Sequence, residues 1–153
     1  MGGALDGEGS FHVTAVNSIL WDNRAGAGTL FEQQVALAST LEYSCVEGAD
    51  LTLIGVGCTF HPPAFVSFPG PDGIAGSSDD DLRLAAGSPC VDAGRTDSVP
   101  LDPLDADADG VVLETLPMDL GGGARVVDDP STVDSGLAGP NGSVVDMGAH
   151  ERQ

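Results

Sequence analysis

Twenty-two glycines and ten prolines punctuate this 153-residue chain at short intervals, and that spacing leaves little room for a helix of ordinary length. Glycine costs backbone entropy inside a helix, and proline removes a donor and clashes with the preceding turn. Only residues 29–41, "TLFEQQVALASTL", read as a helical turn or two. Between the breaks lie short β-type runs: "FHVTAVNSILW" (11–21), "QVALASTLEYSCV" (34–46), "LTLIGVGCTF" (51–60), "LRLAAGSPCVDAG" (82–94) and "GSVVDMGAH" (142–150). Short β-branched runs bounded by turn residues predict an all-β chain. In the first run, alternation places Val13, Ala15, Asn17 and Ile19 on one face and His12, Thr14, Val16, Ser18 and Leu20 on the other. Both faces are mixed. That suits a strand in a coil wound about one axis, paired in parallel with the next coil, better than the polar-out strand of a sandwich.

The charge is lopsided. Twenty-four acidic residues face five basic ones, all arginine, for a formal charge of −19. No basic face exists for phosphate backbones or anionic lipid, so nucleic acid is excluded as a partner. There is no leader-like apolar segment and no apolar run long enough to span a bilayer, so membrane insertion is excluded as well. With 41% apolar residues the chain is expected to fold as one domain rather than remain an acidic disordered tail.

The acidic residues are not spread evenly. "DADADG" (105–110) sets Asp105, Asp107 and Asp109 at alternate positions before Gly110. Calcium takes six to eight oxygens, and a D-x-D-x-D-G loop supplies three carboxylates plus a turn that frees a following carbonyl, here that of Val111. The EF-hand pattern then breaks, because Leu116 stands where its closing glutamate belongs, so Glu114 or Asp119 must close the site. The competing reading is a solvated acidic turn. A second candidate is "PDGIAGSSDDDLRL" (71–84), in which Asp72 and the run Asp79, Asp80 and Asp81 could converge across a tight loop, with an exposed acidic loop balanced by Arg83 as the plainer alternative. Asp92, Asp128, Asp129 and Asp146 could add ligands or simply cap turns, and turn-capping is expected for most of them.

Three cysteines forbid a fully paired framework. Cys45 and Cys58 could bridge a short loop in an oxidising compartment, or serve as small buried residues. His12, His61 and His150 stand too far apart to suggest a zinc site. "NGS" (141–143) fits a glycosylation tripeptide, and Ser131, Thr132 and Ser135 lie in a proline-flanked loop, yet ordinary polar loop residues explain both. Trp21 reads as a packing residue rather than a sugar platform. No nucleophile elbow and no Cys/His pair stands out, and a lyase acting on uronates would need cations that five scattered arginines supply poorly. The chain is therefore expected not to be an enzyme.

The segments "NSILWDN" (17–23), "LEYSCVEG" (41–48), "DGIAGSSDDDLRLAAGSPCVDAG" (72–94), "DADADGVVLETLPMDLGGGARVVDDP" (105–130) and "VDMGAHE" (145–151) occur in this order. Together they resemble the C-terminal part of bacterial extracellular right-handed parallel β-helix proteins of the choice-of-anchor Q group. "GSPCVDAG" and "VDMGAHE" are the most specific parts. The resemblance implies a short β-helix over residues 1–94 and an irregular Asp/Gly-rich cap over 95–153, made of calcium loops and a closing strand, with no general enzymatic activity. The combined expectation is a calcium-stabilised extracellular or cell-surface structural module. Its uncovered first coil would pair with preceding coils of a parent chain or, head to tail, with other copies in a fibre. A glycan-binding or adhesive module is the alternative, and a polysaccharide-active enzyme a weaker one.

Overall fold

The computed structural model describes residues 13–24, 29, 34–35, 39–49, 52 and 54–152. The expected helical turn at 29–41 falls largely outside these, as do the start of the first run and part of the run at 51–60.

The protein is all-β, built from short strands and much irregular chain. Among the described residues six strands are formed: β1 (Val13–Val16), β2 (Ile19–Leu20), β3 (Ser39–Glu42), β4 (Cys45–Val46), β5 (Phe65–Ser67) and β6 (Asp81–Leu84), followed by a 3-10 turn at Thr96–Ser98. They make three two-stranded sheets, β1 with β3, β2 with β4, and β5 with β6. The first two pairs are parallel and the third antiparallel.

The first run is not one strand, because its main chain turns a corner at Asn17, whose φ of 53° lies in the left-handed region. Tyr43 makes the same corner between β3 and β4 with a φ of 46°. Asparagine tolerates that region and tyrosine does so rarely, so the second corner is held by its surroundings. The serine after each corner bonds back to the carbonyl two residues earlier, Ser18 Oγ to Val16 O at 3.0 Å and Ser44 Oγ to Glu42 O at 2.8 Å. The corners stack, with Ser18 N donating to Ser44 Oγ at 3.1 Å across 26 residues of sequence. Val13 pairs with Ser39 and Ile19 with Cys45 at that same offset. A further layer is begun by Thr59, which bridges Cys45 in parallel and exchanges main-chain bonds with Ser44 and Val46 at 2.9 Å.

Among the described residues two apolar clusters fill the interior. Leu20, Val35, Leu41, Val46 and Ala49 form one, with Ala15, Ile54 and Cys58 against it. Cys45, Leu84, Cys90, Val91, Ala93 and Met147 form the other, with Ile19, Trp21 and Phe65 against it. Trp21 is therefore a packing residue. Each fully buried Val or Met side chain here is worth about 1.5–3 kcal/mol relative to exposure.

All three cysteines are free thiols, so the bridge considered between Cys45 and Cys58 is not formed. Cys45 donates to His61 O at 3.2 Å, and its hydrogen bond with Cys90 together with burial pushes its thiol far above the ordinary range. Cys58 packs in the other cluster.

The expected closing strand at 142–150 is also absent as a strand. Val144, Val145, Asp146 and Met147 are buried in succession, where a half-buried strand would alternate. The main-chain bonds of this segment diverge instead. Val145 O accepts from Gly94 N at 2.8 Å, Met147 N donates to Cys90 O at 2.9 Å, and Gly148 N donates to Asn17 O at 2.8 Å. The segment is a plug threaded between the first corner and residues 88–94. At its end Glu151 meets Arg125 in a buried ion pair and accepts from Asp146 N through both oxygens. Burial pushes the Glu151 carboxyl up to about 9, against the pull of the Arg125 guanidinium.

Candidate metal centre

The 105–110 loop is closed at its base by main-chain pairing. Asp102 N donates to Glu114 O at 2.9 Å, Leu116 N donates to Pro100 O at 2.8 Å, and Leu101 bridges Thr115 in antiparallel fashion. Asp102, which is buried, organises the entry, its two carboxylate oxygens accepting from Leu104 N at 3.2 Å and Ala106 N at 2.5 Å. No part of the D-x-D-x-D-G pattern points to Asp102. The signal available was its place at the start of a short Asp-rich loop, where aspartate bonds the backbone two residues on.

Within the loop Asp105 and Ala108 adopt left-handed φ values of 53° and 60°, and Gly110 follows at 91°. The resulting tight coil turns the three carboxylates inward. One oxygen from each of Asp105, Asp107 and Asp109 lies within 4.8 Å of the others. The aspartates also brace the main chain: Asp105 accepts from Gly110 N at 3.1 Å, Asp107 from Asp109 N at 3.3 Å, and Asp109 from Val111 N at 2.7 Å. Val111, expected to offer its carbonyl, thus supplies its N–H to the turn. Like charges this close repel by about 1 kcal/mol per pair even in water.

Glu114 lies within electrostatic reach of this cluster. Its Oε1 is buried without a hydrogen-bond partner. Burial first, then the charges of Asp109, Asp107, Asp102 and Asp105, push its carboxyl above the ordinary value. Asp119, the other proposed closing residue, is engaged elsewhere. It accepts from Gly123 N at 2.8 Å and Glu151 N at 2.9 Å, and His150 stands 3.9 Å away.

The loop at 71–84 is organised differently. Asp72 and Asp79 do approach, with Asp72 N donating to Asp79 at 3.0 Å and Ser77 Oγ donating to both carboxylates. Asp80 clamps the loop by accepting from Gly70 N at 2.7 Å and Gly76 N at 2.6 Å. Asp81 is taken by Arg83, whose guanidinium holds its carboxyl down at about 2. Among the described residues these carboxylates do not converge as a metal-ligand group.

A third acidic cluster was not expected as such. Asp92, Asp128 and Asp134 each present an oxygen within 4.8 Å of the others. Asp146 and Asp129 behave as the turn-capping reading predicts: Asp146 accepts from Asp92 N at 2.8 Å and Arg152 N at 2.7 Å, and Asp129 from Ser131 N at 2.9 Å. Asp92 does not, since it is fully buried and its Oδ2 has no partner. Burial and the neighbouring Asp146, Asp128 and Asp134 push its carboxyl up to about 6, against the pull of Arg152.

The acidic clusters could hold a metal ion, and the all-oxygen donor sets suit hard cations rather than zinc or copper. Among the described residues no helix is long and apolar enough to cross a membrane. No protein-family model, curated protein or solved structure matches the chain.

Proposed function

We propose that the protein is a calcium-stabilised extracellular structural module, not an enzyme, whose stacked parallel coils follow the β-helix plan of the choice-of-anchor Q proteins it resembles. The observation that carries the reading is the convergence of Asp105, Asp107 and Asp109, with the unpartnered Glu114 oxygen beside them. A chain at −19 gains from binding a divalent cation, and calcium is abundant outside cells. The repeated corners at Asn17 and Tyr43, with one pairing offset on both sides of each, support winding about a common axis.

Thermal melting in calcium and in EDTA tests this. A ligand that binds only the native state stabilises it by about 2.7 kcal/mol at a hundredfold excess over Kd. The melting temperature should fall on chelation, and Asp107→Ala should remove most of that response. Identical melting curves in both conditions would refute the reading.

The partner is another copy or a preceding coil, docking on the edge of β1 opposite β3, where no described strand pairs. Light scattering across calcium and salt concentrations should show growth of linear assemblies if copies dock there, and Val13→Pro or Val16→Asp should stop it. A glycan-binding role is the second reading. It draws on a groove of about 560 Å³ whose lining includes Trp21, Phe65, Phe68, Leu120 and His150. Binding on a glycan array, lost in Phe68→Ala, would favour it.

A further inference from the structure

The loop site leaves the cluster at Asp92 unexplained. Both of its flanking segments are anchored on Asp92 itself. Ser135 N and Gly136 N donate to Asp92 O at 2.9 and 3.0 Å, which sets Asp134 beside it. Asp129 N donates to Asp92 Oδ1 at 3.3 Å, which sets Asp128 beside it. The remaining oxygen, Oδ2, is buried without a donor. A carboxylate oxygen left in that condition forfeits its hydration for nothing in return. Arg152, the cation facing Asp92, is already paired with Asp129. The chain brings three acids together here and offers no donor of its own to Asp92 Oδ2.

We propose that Asp92, Asp128 and Asp134 form a second divalent-cation site of the calcium class, with Asp92 Oδ2 as the buried ligand and the two exposed aspartates closing it from the solvent side. Three carboxylates with solvent on one side leave room for the waters that complete a six- to eight-oxygen shell. Such an ion would fasten residues 88–94, the turn at 126–130 and residues 134–136 to one another, the region where the cap closes over the second apolar cluster. The site shares no ligand with the 105–109 loop and stands without it.

The test counts calcium ions on the full-length chain by equilibrium dialysis after removal of EDTA. The double variant Asp128→Asn/Asp134→Asn changes only exposed side chains and should bind one ion fewer than the unaltered protein, whereas Asp107→Asn should lose a different one and the two losses should add. Unchanged stoichiometry in the double variant overturns the proposal and leaves the loop site standing. Loss only in the double variant sinks the loop reading instead. In the unaltered protein, the 13C carboxyl resonance of Asp92 should shift as calcium is added, and a resonance that stays fixed at saturating calcium also overturns it.

Discussion

Asn17 grips the main chain of Arg95 from both sides: its Oδ1 accepts from Arg95 N at 2.6 Å and its Nδ2 donates to Arg95 O at 2.9 Å. One side chain at the first corner thereby takes the place of a strand neighbour for the chain leaving "VDAG", and its own carbonyl accepts from Gly148. The coils, residues 88–95 and the C-terminal plug meet at this residue. Asn17→Ala removes both bonds, strands part-buried main-chain groups and places alanine at a left-handed φ. It should cost about 2–3 kcal/mol in urea denaturation. Asn17→Asp, which keeps the acceptor and loses the donor, should cost less than Asn17→Ala if geometry dominates, and an equal or larger loss would assign the effect to charge.

Gly136 lies against the main chain of Gly94, such that an added Cβ would sit 2.0 Å from Gly94 O and 2.6 Å from a Val144 methyl. The obstruction is main chain fixed by the Leu137 N to Gly94 O bond at 2.8 Å, so no side chain can swing aside. Gly136→Ala should destabilise by about 3 kcal/mol or more, read as a lower urea midpoint, through overpacking. A midpoint within error of the unaltered protein would show that this approach is looser than described.

Glu114 should change the sign of its contribution with calcium. Without the ion its carboxyl is crowded by four aspartates, and with the ion it is a ligand. Glu114→Gln is expected to raise the melting temperature in EDTA and to lower it in saturating calcium, so the two curves cross over. Parallel shifts of one sign in both buffers would remove Glu114 from the site.

Asp81 should titrate near 2, and Arg83→Gln should return it toward 3.8 in a 13C NMR pH titration. Because its folded value lies below the ordinary one, Asp81 stabilises the fold above about pH 3.8. That contribution fades as the pH falls toward 2. A calcium-induced shift of the Asp81 resonance, absent from the expected outcome, would restore it as a metal ligand.

What the chain determines locally was legible in advance. Glycine and proline spacing excludes long helices, and "DADADG" builds its own turn because each aspartate bonds an amide a few residues on. Asp105, Asp107 and Asp109 thus converge through neighbours in sequence. Tertiary structure decided what depends on distant partners. The run at 11–21 became two strands because Asn17 is drawn into a corner by Arg95 and Gly148. "GSVVDMGAH" became a plug because its amides and carbonyls find partners on three different segments. Glu114 rather than Asp119 lies near the loop because pairing across Leu101 and Thr115 brings it there, while Gly123 and Glu151 claim Asp119. The cluster at Asp92 had no local signature at all, since Asp128 and Asp134 reach it only through main-chain bonds onto Asp92. Residue spacing encodes which groups can meet along one turn, whereas convergence across the chain is set by packing and by where each buried polar group must find its partner.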